Sequence, residues 1–367
     1  HLKHLKLKSA LLTKFWGREM FVGADVLLPR DYADNPDQRY PVVYVHGHFS
    51  GDGAVMGFTE PPATGAKDER SDFSKWWLTD AAPRAILVSF RHENPFFDSS
   101  YAVNSANVGP YGDVIAKELV PLVDSSFRTI PERWARRLTG ESTGGWQAMA
   151  QMIFYPDLYG GVIADAPDPL DFHNFELVDV YKDKNAYFNT SDGGWVVAAR
   201  PSTRKRNGDT ITTNQQENLW ELALGTSTRS GLGNWDIWQA TYSPRGPDGY
   251  PAPIWNKETG VIDPKVAQAW KAFDLREVVV KNWASLSSKL AGRMEISVGD
   301  NDNYFLNNGV IGFEAGLKSL APFPELTVNY VRGAGHGSGF YSEEKLIETL
   351  TDRIAEQAPE GADLSWH

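Results

Sequence analysis

Arg136-Arg137-Leu138-Thr139-Gly140-Glu141-Ser142-Thr143-Gly144-Gly145-Trp146-Gln147-Ala148-Met149-Ala150-Gln151-Met152 is the stretch that decides how this chain is read. Arg136 to Thr139 reads as a short strand and Gly145 to Met152 as a helix, with the pattern G-x-S-x-G between them. A serine on so sharp a strand-to-helix turn is held in a strained backbone conformation, with its hydroxyl standing above the edge of the sheet. Gly140 and Gly144 lack the Cβ atoms that would collide in such a turn. The bare pattern arises often by chance. The strand before it and the helix after it make Ser142 a candidate nucleophile.

Outward from this turn the chain alternates strands and helices. Tyr40 to Val45 and Ala85 to Phe90 are continuous apolar, β-branched runs, as expected of strands buried on both faces of a parallel sheet. Glu19 to Leu28, Gly161 to Asp165, Met294 to Val298 and Leu326 to Val331 complete the expected strands, and residues 1–17, basic and weakly patterned, lead into the first of them. Gly112 to Phe127 reads as a helix that Pro121 should kink or restart. Ser342 caps a last helix whose Leu346, Ile347, Leu350 and Ile354 share one face. The alternation predicts an α/β fold with a mostly parallel, doubly wound sheet, whose ligands bind beyond the carboxyl ends of the strands. Residues 168–290 interrupt the pattern and hold seven of the thirteen tryptophans. The reading is one domain over residues 1–367, with a cap-like, Trp-rich insertion at about 168–290 over that edge.

Composition narrows the function. The net charge of −11 argues against nucleic acid and anionic membranes as partners. The absence of cysteine removes disulfides, thiolate nucleophiles and thiolate metal sites. No apolar run reaches the ~18 residues that span a bilayer. The chain starts at His1 rather than Met, which fits a removed leader and a secreted or periplasmic destination, with a cytoplasmic one left open.

A serine hydroxyl needs a base, and the base needs an orienting acid. In this fold the chain order is serine, acid, histidine. Of eight histidines, His336 alone falls between the last strand and the last helix, in Gly335-His336-Gly337. Gly299-Asp300-Asn301-Asp302 follows an earlier strand and offers two acids; Asp302, deeper in the turn, is favoured, with Asp300 left to stabilise the loop. The oxyanion needs backbone donors: Thr143, after the nucleophile, and His48, in the glycine-rich loop after Val45. His46 and His48 could chelate a metal, but no nearby cysteine or carboxylate completes a set. Asn104 is a candidate for lining the substrate pocket.

Tyr40 to Gly47, Lys117 to Pro121, Leu138 to Trp146, Tyr155 to Asp157, Gly299 to Leu306 and Gly335 to Gly337 together resemble the esterase branch of the α/β-hydrolases. That branch includes feruloyl esterases, S-formylglutathione hydrolases, enterochelin esterases and mycolyltransferases. The resemblance covers most of the chain outside the insertion. It implies the α/β-hydrolase fold and serine ester hydrolysis without metal or organic cofactor, and its G-x-x-D pattern favours Asp302 as the acid. The expected substrate is a small-molecule ester, aromatic or carbohydrate-linked. The alternatives are acyl transfer to an alcohol by the same Ser142, Asp302 and His336, and a non-catalytic binding protein on this fold. The length of the insertion leaves the natural ester open.

Overall fold

The computed structural model describes residues 1–47, 55–191, 193, 195–225 and 233–367. Its centre is an eight-stranded sheet: β1 (Leu2–Lys8), β2 (Phe21–Leu27), β3 (Val42–His46), β4 (Ile86–Arg91), β5 (Arg136–Glu141), β6 (Gly161–Asp165), β7 (Met294–Gly299) and β8 (Thr327–Val331), in the order β1-β2-β4-β3-β5-β6-β7-β8. β2 runs antiparallel to both β1 and β4, and every other neighbouring pair is parallel. The chain leaves β3 for β4 on one side and β5 for β6 on the other, so the neighbours β3 and β5 flank a switch point, and the carboxyl ends around it form the edge where such sheets bind ligands. The fold is the expected α/β-hydrolase fold.

The strand interiors are buried on both faces, and their side chains divide with period two. Val42, Tyr44, Ile86, Val88, Val162 and Ala164 belong to one apolar cluster, while Val43, Leu87 and Ile163 belong to another. Helices cover both clusters, which is why these strands read as unbroken apolar runs. β1 was not expected. Leu5-Lys6-Leu7-Lys8 alternates apolar and basic residues as a half-buried strand does, Lys3-His4 breaks that phase, and the lysines blunt an exposed sheet edge. The helix expected after Gly112 forms with a restart. A π-helical turn at Ile115–Leu119 joins Tyr111–Val114 to Val120–Ser126, and Pro121 sits in the first turn of the second piece, where its missing N–H is not needed.

Between β6 and β7 the chain adds no strand to the central sheet among the described residues. It forms a hairpin of Pro201–Arg204 with Thr210–Thr213 and the helices Asn214–Leu224, Asn234–Tyr242, Pro264–Trp270 and Leu275–Leu290. Trp235, Trp238, Trp255, Trp270 and Trp283 are buried, in a core continuous with that of the sheet, whereas Trp195 and Trp220 are exposed. The helix Leu275–Leu290 leads into β7 and packs on helix α1 (Thr143–Phe154), supplying the crossover that parallel strands require. No helix among the described residues is long and apolar enough to cross a membrane.

The turn from β5 into α1 is fixed by close packing. A Cβ on Gly144 would lie 2.1 Å from the carbonyl oxygen of His46, and one on Gly140 would lie 2.4 Å from Gly144. β3 and the start of α1 therefore approach as closely as backbones can. Ser142, at the apex, has φ 55° and ψ −125°, a conformation that costs a non-glycine residue about 1–3 kcal/mol. Its N–H donates to the carbonyl of Asp165 at 2.9 Å, and its carbonyl accepts from Trp146 at 3.0 Å, so both flanks hold the strain in place. Gly144→Ala is expected to destabilise the protein by at least about 1–3 kcal/mol, since the clash is with backbone and no side chain can yield. A lowered urea midpoint would show this; an unchanged midpoint would mean that the approach is looser than described.

Candidate active site

Two loops at the carboxyl edge bring the predicted acid and base together. After β7, the chain turns at Gly299-Asp300-Asn301-Asp302, and Asp302 is fully buried. One of its oxygens, Oδ2, lies 2.8 Å from Nδ1 of His336. The other, Oδ1, accepts from the backbone N–H groups of Tyr304 at 2.8 Å and Leu306 at 3.2 Å, at the start of α2 (Leu306–Leu317). An ionised carboxylate only accepts, so the proton between Asp302 and His336 belongs to Nδ1 and leaves Nε2 as an acceptor. Asp300 faces away, taking the N–H of Gly333 at 2.7 Å.

The His336 loop is gripped from three directions. Its N–H donates to Oδ1 of Asn303 at 2.9 Å. Ser338, two residues on, donates from both its N–H and its hydroxyl to Asp165 at the end of β6. The loop also lies on the end of β7: a Cβ on Gly299 would come within 2.4 Å of the carbonyl oxygens of Ala334 and Gly335. The ring of Tyr304 stands edge-on to the imidazole with centroids 4.9 Å apart.

The hairpin at Pro201–Arg204 completes this support, which sequence reasoning missed. Nε of Arg204 donates to the carbonyl of Asp302 at 3.0 Å, its N–H donates to the carbonyl of Asn303 at 3.0 Å, and its own carbonyl accepts from Asn303 Nδ2 at 2.8 Å. Its guanidinium lies over the ring of Phe305 at 4.4 Å. Nothing in Ser202-Thr203-Arg204 taken alone signals this contact, because the partners lie about a hundred positions downstream.

Ser142, His336, Glu141, Asp168, Glu176, Trp238 and Tyr304 line one cavity of about 470 Å³. Ser142 and His336 share it without a hydrogen bond between them, a bond that in substrate-free enzymes is often long and tightens when substrate is present. Thr143 heads α1, so its N–H has no partner within the helix. His48, expected as the second oxyanion donor, lies outside the described residues. Asn104 is not at the cavity. It is exposed, and its Oδ1 accepts the N–H of Asp113 at 2.9 Å, capping the helix that starts there. The nearby Tyr101 reaches the site instead: its hydroxyl donates to Asp168 at 2.8 Å, and Thr143 Oγ1 and Trp238 Nε1 converge on the same oxygen at 3.0 and 3.3 Å. An aromatic residue in the loop after β4 was visible in the sequence; its direction was not.

The electrostatics suit a base. Burial pulls the His336 imidazole towards the neutral form, but the hydrogen bond and charge of Asp302, joined by Asp168 and Glu141, outweigh it and hold its pKa above the usual histidine value. His46 is the contrast. Burial beside His92 pushes its pKa down to about 3, so it stays neutral. Burial raises the Asp165 carboxyl, against the pull of its two bonds from Ser338.

A family model described as "Putative esterase" matches residues 16–308. The chain is 30% identical over 80 residues to the uncharacterized protein YjcH of Bacillus subtilis (strain 168), a match covering 22% of this chain and 33% of that protein, so it spans about a third of that relative's length. Among solved structures, a ferulic acid esterase aligns over 97% of this chain and 97% of its own, with a TM-score of 0.51 and 14% identity. An S-formylglutathione hydrolase from Agrobacterium tumefaciens aligns over 97% and 95%, with a TM-score of 0.51 and 12% identity. FphF, a fluorophosphonate-binding serine hydrolase of Staphylococcus aureus, aligns over 96% and 98%, with a TM-score of 0.52 and 14% identity. At these identities the likeness establishes the fold.

Asp302→Asn is expected to lower the pKa of His336 by about a unit or more, because the imidazolium loses its anionic partner, while Asp300→Asn leaves it nearly unchanged. Histidine resonances followed by NMR across pH 4 to 9 test this; equal shifts in the two variants would contradict the pairing.

Proposed function

We propose, from the premise that this chain belongs to the Putative esterase family, that it is a carboxylic ester hydrolase working through an acyl-enzyme formed on Ser142. The observation that carries this reading is the convergence of Ser142 with the Asp302–His336 pair on one cavity at the carboxyl edge of the sheet. Nε2 of His336 takes the Ser142 proton as the hydroxyl oxygen attacks the ester carbonyl. Asp302 keeps the imidazole in the tautomer that can accept and stabilises the imidazolium that results. The carbonyl oxygen becomes an oxyanion, for which the N–H of Thr143 is one donor and the N–H of His48 the other. As the intermediate collapses, the C–O bond to the alcohol breaks and His336 returns its proton to the leaving oxygen. Water, deprotonated by the same imidazole, then attacks the acyl group and frees Ser142.

Trp238 and Tyr304 give the cavity flat faces, which suits an aromatic or carbohydrate-linked ester. We read the Trp-rich chain before Leu275–Leu290 as cap-like, since it supplies Glu176, Asn234 and Trp238 to the cavity.

Ser142→Ala is expected to lower turnover of p-nitrophenyl acetate by at least about 10³-fold with the fold intact. The pH profile follows from His336. Only the neutral imidazole accepts a proton, and its pKa is raised. In kcat/KM the acidic limb should therefore fall away as pH drops through a value above about 6.5. Full activity of Ser142→Ala, or a limb well below that value, would reject the assignment.

A further inference from the structure

Glu176 is the least explained charged side chain in the described cavities. It follows the buried Phe175, whose ring stands at 90° to that of Trp238 with centroids 4.9 Å apart. The Glu176 side chain is almost wholly buried, and its backbone has φ 53°. It lines the cavity of Ser142 and His336, and also a second cavity of about 300 Å³ next to it, which is walled by Trp220 and Trp235 together with Glu217 and Glu221. Its position is therefore at the junction of the two.

Hydrogen counting shows that Glu176 is incompletely served. Its Oε2 lies 3.1 Å from the hydroxyl of Ser202, but the same hydroxyl lies 2.5 Å from Oε2 of Glu217, and a serine has one hydrogen to give. Glu217 already receives Trp235 Nε1 at 3.0 Å and Thr203 Oγ1 at 2.9 Å. The shorter contact gives the Ser202 hydrogen chiefly to Glu217, so Glu176 is left with a shared donor. Burial, then the charge of Glu217, raise the Glu176 carboxyl well above the usual carboxylate value, with Asp168 and Asp302 adding to the effect and the Ser202 contact opposing it. Burying such a carboxyl without a charged partner is costly, and an apolar side chain would fill the space without that cost. The groups facing it are Glu217, Asp168 and Asp302, all acidic, and the described residues lining the two cavities include no lysine or arginine.

We propose that Glu176 is a specificity-determining residue that receives an ammonium group of the ester substrate, at the junction of the two cavities. This deepens the ester-hydrolase reading and rests on it. A cation is the ligand chemistry that supplies both the missing charge and the missing donors. The faces of Trp238 and Tyr304 add cation–π attraction. On binding, the Glu176 carboxylate pairs with the ammonium, any proton it carries passes to solvent, and no bond of the substrate changes. An aromatic or carbohydrate-linked ester that also carries an ammonium group would use both the flat faces and the acidic junction.

Two isosteric substrate pairs test this, one for each side of the ester: 2-naphthyl 6-aminohexanoate against 2-naphthyl heptanoate, and 5-aminopentyl acetate against hexyl acetate. In the wild-type protein the ammonium member of at least one pair should have the higher kcat/KM by about tenfold or more. Glu176→Gln should reduce that ratio to about one or below, the ratio within the variant being the readout. Should Glu176→Gln fold poorly, competition in the wild-type protein decides: hexylammonium should inhibit hexyl acetate hydrolysis at least about tenfold more strongly than hexanol does. Ser142-dependent hydrolysis with no ammonium preference in either pair overturns this inference and leaves the ester-hydrolase reading standing. Hydrolysis of neither pair, or hydrolysis that survives Ser142→Ala, overturns both.

Discussion

Everything at the carboxyl edge of the sheet depends on how closely the end of β3 approaches the start of α1. The carbonyl oxygen of His46 occupies the space that a side chain on residue 144 would need, and residue 140 is pressed against residue 144 in turn. Only glycine fits at either place. The chain must therefore leave β5 through Ser142 in a strained conformation, and that same strain puts its side chain at the mouth of the cavity. The burial of α1, from Thr143 through Ile153, supplies the packing that offsets this cost.

Around the serine, charge is placed by burial and then given partners. Asp302 receives two backbone donors and the imidazole. Asp165 ties the far side of the histidine loop, and Asp168 gathers Tyr101, Thr143 and Trp238 beside the turn. The hairpin carrying Arg204 is bonded to the Asp302 loop itself, so the chain added between β6 and β7 takes part in holding Asp302 and, through Asn303, His336. Glu176 differs from these acids in having only a contested hydroxyl, and that difference is the ground for proposing that it meets a ligand.

The sheet was legible because strands buried on both faces have to be apolar throughout, as at Tyr40 to Val45 and Ala85 to Phe90. The turn at Ser142 was legible because its geometry demands glycine at fixed offsets. The loops bearing Asp302 and His336 were legible because chain order in this fold constrains them. β1 was not legible because its alternation runs only from Leu5 to Lys8 and is broken by Lys3-His4, too short a period to mark a strand. Asn104 was placed at the pocket because position along the chain says which loop approaches the site, but not which side chain turns inward. Arg204 and Glu176 left no trace in the sequence, since long-range pairing and a positive φ at a glutamate have no local signature.

The most direct test of the central claim is to trap the covalent intermediate. The protein treated with a fluorophosphonate, digested and analysed by mass spectrometry should carry one phosphonyl group on the peptide containing Gly140 to Trp146, attached at Ser142. Labelling should be slowed by Asp302→Asn. A fully active protein that stays unlabelled, or one labelled at another serine, would contradict the account.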